Sequence, residues 1–309
     1  MSEFHTAVRD YLAVRRRLGF TLRDAGWLLP DFADFMREKG SARITTQLAL
    51  AWATQPAGAS PVWWRQRLGV VRGFARYLKT IESSTEIPSR DLLPAVYNRI
   101  TPYLYSPADV AALMGAARSL LPTLRGATYQ TLIGLLAVSG LRIGEVIRLA
   151  PTDIDGVGSV LLVRHSKGDS AREVPLHTTA LRALHAYADK RDSQFPQPRT
   201  QSFFVSIRGT RLSQSAVNAT FRELVLRTGL EQRGPRCRPR IHDLRHSLAV
   251  TTLLDWYEQG ADVDAKLPLL STVLGHVNPA STYWYLQAVP QLLALACRRL
   301  EAVPDQDLS

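Results

Sequence analysis

The stretch Leu274-Gly-His-Val-Asn-Pro-Ala-Ser-Thr-Tyr-Trp-Tyr285 combines a helix end, a turn and the start of another helix. Asn278-Pro279 breaks the first helix or forms a turn, because the residue before proline disfavours the helical conformation. The Ser-Thr pair that follows can cap a new helix, which places Tyr285 about one turn inside it and nine residues after His276. A tyrosine near an imidazole can serve as a nucleophile. Alone, however, the stretch favours a buried tyrosine and a hydrogen-bonded histidine with structural roles.

Three motifs upstream carry the basic residues that change this interpretation. They are Ser139-Gly-Leu-Arg-Ile-Gly-Glu145, Arg164-His-Ser-Lys-Gly-Asp-Ser-Ala-Arg172 and Ile241-His-Asp-Leu-Arg-His-Ser247. With the stretch above, the chain carries in order Arg, Lys, His-x-x-Arg, His and Tyr. This constellation resembles the tyrosine recombinase (phage integrase) family, through motifs over the C-terminal two thirds and through general character over the N-terminal third. The amino-acid sequence of residues 277–285 is more similar to that of transposon-borne members than to that of chromosome-dimer resolvases.

The resemblance implies a site-specific DNA recombinase that cuts and rejoins strands through a 3′-phosphotyrosyl link, in the integration, excision or transposition of a mobile element. The catalytic residues that it implies are Arg142, Lys167, His242, Arg245, His276 and the nucleophile Tyr285, with Glu145 in support. In the family, a lysine placed like Lys167 reaches the minor groove beside the scissile phosphate. The implied partners are double-stranded DNA with inverted-repeat half-sites, further copies of the chain in a tetramer on paired sites, and accessory recombinases.

The chemistry of these residue types agrees with that role. A phosphodiester transition state gains charge on its non-bridging oxygens and needs preorganised donors, which the forked, permanently charged Arg142 and Arg245 supply. The histidines can add hydrogen bonds and move protons near neutral pH. Tyr285 needs help in losing its proton, because an unperturbed tyrosine has a pKa of about 10. The sequence has no carboxylate cluster that would demand Mg²⁺ and no phosphate-binding P-loop, so we expect a reaction without metal, ATP or another cofactor.

Several of these residues also have a structural interpretation. Arg142 begins a helix, where backbone N–H groups favour an anion, but it can equally form a surface ion pair with Glu145. The same carboxylate can orient Arg142. A lysine in a turn, such as Lys167, is usually only solvated, and Tyr283 is a rival nucleophile to Tyr285.

The helix predicted from Ile241 to Tyr257 places His242 and Arg245 on one face, at positions i and i+3. His246 and Asp243 are expected to point elsewhere. Two other functions remain open for such a site: relaxation of supercoils by a type IB topoisomerase-like enzyme, and DNA binding by an accessory protein that does not cut. The size and the helical N-terminal region favour the recombinase.

The composition supports a nucleic-acid partner. Among 309 residues there are 38 Lys plus Arg and 27 Asp plus Glu, a formal net charge of +11. This excess favours a polyanion, most simply DNA, although a solvated basic surface gives the same count. No apolar run approaches the roughly 20 residues of a membrane span, no signal-peptide core is present, and Cys237 and Cys297 make no disulfide framework. We therefore expect a cytoplasmic, nucleoid-associated protein without a membrane partner.

Length and periodicity predict a two-domain chain that is mainly α-helical with a small β-sheet or hairpin. A helical DNA-binding domain is expected over residues 1–82, a proline-containing linker over 83–105, and a mixed α/β, mostly helical catalytic domain over 106–309. The family resemblance implies that the first domain is SAM-like and clamps DNA. Within the second, a hairpin carries Lys167 at its turn, and Phe203-Phe204-Val205 forms a short strand.

Two basic surfaces are candidates for contact with DNA. A helix opened by Ser60-Pro61 carries an apolar stripe, and the residues of the basic face beside it are Arg65, Arg72, Arg76 and Lys79. The loop Leu230–Arg240 carries Arg236 and Arg238. Both surfaces suit phosphates. A solvated face explains the helix pattern about as well, but the excess of basic residues in the chain favours contact with DNA. Residues Pro290–Val303 predict an amphipathic helix that packs on its own domain or on a neighbouring protomer.

Overall fold

The structure is a computed structural model that describes residues 3–94, 101–164 and 171–276. The chain divides into two compact units, Met1–Arg99 and Ile100–Ser309. Each unit has its own apolar core. Within the described residues, no helix is long and apolar enough to cross a membrane.

The first unit is built from four described helices: α1 (Glu3–Arg17), α2 (Arg23–Glu38), α3 (Thr46–Thr54) and α4 (Pro61–Leu78). The Ser60 side chain accepts a hydrogen bond from the backbone N–H of Trp63, and Pro61 takes the first helical position, as the sequence predicted. The apolar stripe of α4 is buried against Phe32 and Trp52, which pack edge to face with ring centroids 5.1 Å apart. The basic face of α4 lies beside this stripe.

The segment after α4, predicted as part of the linker, contacts the first unit as far as it is described. The carboxylate of Glu86 accepts a 2.7 Å hydrogen bond from the backbone N–H of Thr46, and Leu93 belongs to the core of the first unit. Beyond the undescribed residues 95–100, Tyr103 and Tyr105 are buried in the core of the second unit.

The second unit is mostly helical around a small sheet. Its described elements are α5 (Pro107–Arg118), α6 (Thr123–Ser139), α7 (Ile143–Arg148), a 3₁₀ turn (Pro151–Asp153), β1 (Ile154–Asp155), β2 (Val160–Val163), β3 (Arg172–Pro175), α8 (Thr178–Gln194), α9 (Gln214–Thr228), α10 (Asp243–Glu258) and α11 (Val263–Leu274). The strongly apolar α6 lies at the centre and packs against α5, α8 and α10. This arrangement brings the predicted arginine and histidine motifs together around the C-terminus of α6.

The three described strands form an antiparallel sheet in the order β1-β2-β3. Val163 is paired with Arg172 at the end of the β2-β3 hairpin that is next to the turn, which confirms the predicted hairpin arms. The turn itself at residues 165–170, with Lys167, lies outside the described residues. The strand predicted at Phe203-Phe204-Val205 is wrong. Only an isolated bridge joins Val205 to Arg211, because the chain reverses immediately after these three buried residues.

Candidate active site

Arg142 lies at the N-terminus of α7, directly after the turn that ends α6. Gly140 forms this turn with a φ of +62°, a left-handed conformation that glycine adopts without steric penalty. The Arg142 side chain is 30% exposed, and its Nη2 donates a 2.6 Å hydrogen bond to the carbonyl oxygen of Gly275. The turn therefore directs Arg142 towards the C-terminus of α11.

Glu145 is a buried carboxylate that is shared by two arginines. Its oxygens accept hydrogen bonds from the backbone N–H of Arg142 at 2.8 Å and from Nη1 of Arg142 at 3.0 Å. The guanidinium of Arg172 donates to the same two oxygens at 3.1 and 2.8 Å. Burial alone would raise the pKa of Glu145, but the hydrogen bonds and the two arginine charges lower it. Glu145 therefore stays ionised and holds Arg142 in a pair that is partly buried rather than on the surface.

Arg245 reaches the Gly140 turn from α10. Its side chain is buried, and Nη1 donates a 2.6 Å hydrogen bond to the carbonyl oxygen of Gly140. His242 stands at the N-cap position of the same helix, so the two residues share the first turn, as predicted. Asp243 is fully buried and accepts hydrogen bonds of 2.9 and 2.6 Å from Arg240. The pair of Arg240 and Asp243 fixes the start of α10 and therefore the backbone positions of His242 and Arg245.

His246 lies against His242. The two rings pack edge to face with centroids 4.8 Å apart, so the prediction that His246 points elsewhere is wrong, because residues four apart in a helix lie on one face. Burial comes first among the causes that lower the pKa of His246 to about 3, followed by its electrostatic interaction with His242 and by the charges of nearby arginines. His242 is an exposed residue, but part of its ring is withdrawn from water. This partial burial and then the charge of Arg245 lower the pKa of His242 as well. Both rings are therefore neutral near pH 7.

His276 follows the left-handed glycine that ends α11 and is the last described residue. The pKa of His276 is lowered to about 4, first by burial and then by the charges of Arg245, Arg142 and Arg172. These charges act on His276 because the arginines lie close to it. A neutral imidazole has one nitrogen that donates and one that accepts a hydrogen bond, so His276 can contact a phosphate oxygen or accept a proton.

The structure thus brings together the predicted site residues of α7, α10 and α11: Arg142, Glu145, His242, Arg245 and His276. Lys167, Tyr285 and the rival Tyr283 lie outside the described residues. Among the described residues no group of three or more His, Cys, Asp or Glu is placed to hold a metal ion. The expectation of a reaction without a metal stays a prediction.

Comparison with known proteins identifies the family. A model described as the phage integrase family matches residues 105–291. A putative integrase/recombinase, y4rB of Sinorhizobium fredii, is 43% identical over 307 residues, which cover 97% of this chain and 98% of that protein. The chain belongs to the phage integrase family. Tyrosine recombinase XerC of Chlamydia muridarum is 29% identical over 221 residues, 72% of this chain and 65% of that protein.

Solved structures of other integrases and recombinases share the fold. The Tn1549 transposon integrase in complex with transposon right end DNA gives a TM-score of 0.65 at 15% identity, covering 96% of this chain and 99% of that one. The XerH recombinase bound to a palindromic difH substrate gives 0.65 at 18% identity, covering 89% and 78%. The predicted fold class is confirmed. The predicted enzyme class is confirmed as well: this family member is a site-specific recombinase of the tyrosine class.

The basic face predicted on α4 of this recombinase has two different halves. Arg76 and Lys79 are exposed. Arg72 donates hydrogen bonds of 2.8 and 2.7 Å to the carbonyl oxygens of Pro88 and Ser89, and Arg65 donates one of 3.1 Å to the carbonyl oxygen of Pro94. The first half of the face is thus joined to the chain segment that follows α4.

The basic loop before α10 is divided in a similar way. Arg233 donates to the carbonyl oxygen of Leu104 at 2.6 Å and to Asp109 at 3.1 Å, and Arg240 binds Asp243. Arg236 and Arg238 are exposed. The arginines at the ends of the loop therefore fix it, and the two in its middle face solvent.

From the sequence, Arg172 was recognised only as part of the hairpin motif, and its contact with the site residue Glu145 was missed. A signal existed in the alternation of β3. Val174 and Leu176 are buried apolar residues at every second position, so Arg172 falls on the inward face. An arginine on an inward face requires a buried anion, and Glu145 is that anion.

Proposed function

We propose that this recombinase cleaves DNA by attack of the Tyr285 hydroxyl on a phosphodiester held by Arg142 and Arg245. The attack forms a 3′-phosphotyrosyl bond and breaks the bond from phosphorus to the 5′ oxygen, which takes a proton from Lys167. Rejoining is the reverse reaction with another 5′ hydroxyl, so the bond energy is conserved and no ATP is consumed. The observation that carries the proposal is the meeting of Arg245 and Arg142 at one turn, beside His276.

The two arginines supply the charge that the transition state needs. Both side chains are preorganised by hydrogen bonds to fixed protein atoms, the carbonyl oxygens of Gly140 and Gly275 and the carboxylate of Glu145. A donor that is already in place costs no reorganisation when charge develops on the phosphate oxygens. Arg142 keeps part of its surface open to the solvent side, where a phosphate would approach.

The histidines provide hydrogen bonds and proton transfer. His242 and His276 have lowered pKa values, so near pH 7 each is neutral and can accept a proton from Tyr285 or donate a hydrogen bond to a phosphate oxygen. We assign no separate chemical role to His246. Its ring packs on His242 and supports the position of that side chain.

DNA binding is proposed for both units. The N-terminal domain over residues 1–82 would clamp the duplex with the basic face of α4, through phosphate contacts of Arg76 and Lys79, while Arg65 and Arg72 hold the segment after α4. Arg236 and Arg238 of the catalytic domain, residues 106–309, would contact the backbone beside the cleaved phosphate. The net charge of +11 supports this assignment and an association with the nucleoid.

The assembly that we propose is a tetramer on two paired sites, each built from inverted-repeat half-sites. Structures of related proteins are described as bound to a palindromic substrate and as a dimer on a core site, which supports repeated half-sites. The similarity to a transposon integrase supports movement of a mobile element, with accessory recombinases as further partners.

The test is to trap the covalent intermediate. Full-length protein is incubated with fragmented DNA from the regions flanking its gene, and DNA that remains attached after denaturation is sequenced from the protein-linked end. We expect one recurrent sequence, attached through a 3′ phosphate. The absence of any adduct would support a non-cleaving accessory protein instead. Plasmid relaxation without joining of two sites would support the topoisomerase-like alternative.

A further inference from the structure

Arg172 uses its whole guanidinium to join three parts of the second unit. From β3, its Nε donates a 2.9 Å hydrogen bond to the carbonyl oxygen of Val273 in the last turn of α11. Its Nη1 and Nη2 donate to the two carboxylate oxygens of Glu145 in α7. The side chain is only 7% exposed. A buried arginine with this geometry has no donor pair left for DNA, so its role lies in what it holds.

The hydrogen bonds of Arg172 determine how Arg142 is held. Arg172 takes both oxygens of Glu145 in the bidentate geometry that matches a carboxylate, and Arg142 adds a single side-chain bond at 3.0 Å. Two arginines and one carboxylate carry a net charge of +1. Without Arg172, the pair of Arg142 and Glu145 would be neutral, and Glu145 would be free to rotate towards Arg142.

Arg172 also packs against the residue that precedes His276. A Cβ atom added to Gly275 would lie 2.6 Å from Nη1 of Arg172, so the glycine backbone rests directly on the guanidinium. Gly275 is in turn the residue whose carbonyl oxygen accepts the hydrogen bond from Arg142. Arg172 therefore contacts both the carboxylate that orients Arg142 and the chain that carries His276.

We propose that Arg172 is a positioning residue for strand cleavage, which fixes Arg142 and His276 relative to one another through Glu145 and the end of α11. This inference rests on the function proposed above. A lysine cannot replace Arg172, because an ammonium group lacks the planar fork needed to contact both oxygens of Glu145 and the carbonyl of Val273 together.

The chain contains a matched control for this residue. Arg191 in α8 is 11% exposed on its side chain, binds both oxygens of Asp192 at 2.6 and 2.9 Å, and donates a third bond of 3.0 Å to the carbonyl oxygen of Phe203. It thus has the same set of partners as Arg172, a carboxylate and one carbonyl. None of these partners belongs to the proposed site.

The experiment compares Arg172→Lys, Arg172→Met and Arg191→Met in the full-length chain. The probe is a nicked duplex that carries the site recovered by covalent trapping. Affinity for a single half-site and the rate of adduct formation at saturating DNA are measured separately. We expect both Arg172 variants to bind like the wild type and to cleave about 100-fold more slowly, because a displacement of about 1 Å in a catalytic group costs that much. Arg191→Met should cleave at the wild-type rate.

A double variant separates positioning from stability. Arg172→Met alone leaves Glu145 buried without its main partner, which destabilises the fold. Arg172→Met with Glu145→Gln removes the buried charge as well, so we expect thermal stability above that of the single variant while cleavage stays about 100-fold slow. A double variant that regains stability and rate together would overturn the proposal, and so would a wild-type rate in Arg172→Lys.

A pH profile gives a readout that a structural role would not change. The positive charge of Arg172 contributes to the lowered pKa of His276, so Arg172→Met should raise that pKa and move the acid side of the cleavage profile to higher pH. Arg172→Lys keeps the charge and should keep the profile while losing rate. If the wild-type protein forms no adduct, the proposed function fails instead. If it does and the Arg172 variants match Arg191→Met, this inference alone fails.

Discussion

Nη1 of Arg245 donates a 2.6 Å hydrogen bond to the carbonyl oxygen of Gly140, a residue 105 positions earlier in the chain. Gly140 precedes Arg142 by two residues, and a Cβ added there would lie 2.8 Å from the side chain of Leu274 and 3.0 Å from that of Leu248. The close packing of α10 and α11 against this turn therefore depends on a glycine at position 140. The two arginines are placed by the same few backbone atoms.

The arginines are expected to act on the transition state more than on binding. Replacing Arg142 or Arg245 by Ala should lower the cleavage rate at saturating DNA by about 100- to 1,000-fold, the usual effect of removing one transition-state donor. Affinity for a half-site should change little. Arg245→Lys repeats the test with less disturbance of a buried position. A large loss of affinity with normal cleavage at saturation would mean that these residues only position the DNA.

Tyr285 is expected to be the nucleophile. Tyr285→Phe should still bind a half-site but give no adduct on a nicked suicide substrate, because a phenyl ring has no oxygen to attack phosphorus. Tyr283→Phe is the matched control and should form adduct. The assignment is wrong if Tyr285→Phe still reacts and Tyr283→Phe does not.

The neutral histidines predict a stability that falls in mild acid. The pKa of His276 is lowered to about 4 and that of His246 to about 3, against an ordinary value of about 6.5. The unfolded chain therefore binds more protons between these values, so stability is complete above about pH 6.5 and decreases as the pH falls towards 4. His276→Gln should reduce this slope of thermal stability with pH.

The exposed His185 of α8 supplies the control. His185→Gln should leave the decrease in thermal stability between pH 6.5 and pH 4 as it is in the wild type. A slope that is equally steep in His276→Gln would show that protonation of His276 does not oppose folding.

Sequence order was sufficient to find the site but not its supporting contacts. The arginine and histidine motifs each carry a local signal, a helix start or a helix end, and the structure brings them to one turn. Arg172 was missed because its role depends on a partner across the fold, Glu145 in α7, which local spacing does not reveal. The contact of His246 with His242 is different: the two residues are four apart at the start of one helix, so helical spacing does indicate it.

The basic face of α4 shows the same limitation. Helical spacing correctly placed Arg65 and Arg72 beside the buried stripe. It could not show that they donate to carbonyl oxygens of Pro94, Pro88 and Ser89, because those acceptors lie in a segment with no periodic pattern. Exposed backbone carbonyls compete with phosphates for the same guanidinium donors.

This division gives a prediction for DNA binding. Neutralising Arg76 and Lys79 together, as Arg76→Gln and Lys79→Gln, should reduce the slope of log affinity against log salt by roughly two, because each lost phosphate contact releases about 0.9 fewer counterions. Arg65→Gln with Arg72→Gln should reduce thermal stability more than it reduces the salt slope. An unchanged slope in the first pair would mean that this end of α4 is only solvated.

The C-terminal tail gives the last prediction. Residues 277–309 lie outside the described structure, but Pro290 should begin a new helix, whose apolar stripe consists of Leu292, Leu293, Ala296, Cys297 and Leu300. Such a helix must bury that stripe against its own domain or a neighbouring protomer. If the stripe docks on a neighbouring protomer, the short span from Tyr285 to Pro290 would couple docking of the tail to placement of the nucleophile.

We favour docking on a neighbouring protomer. A protein that ends at Val289 should remain folded and bind a single half-site like the full chain, while it loses assembly on paired sites and recombination. Thermal unfolding, single-site binding and particle mass on paired-site DNA measure these properties separately. Unfolding of the truncated protein, or loss of single-site binding, would show that the tail packs on its own domain. In that case the contact between protomers has to be sought elsewhere on the catalytic unit.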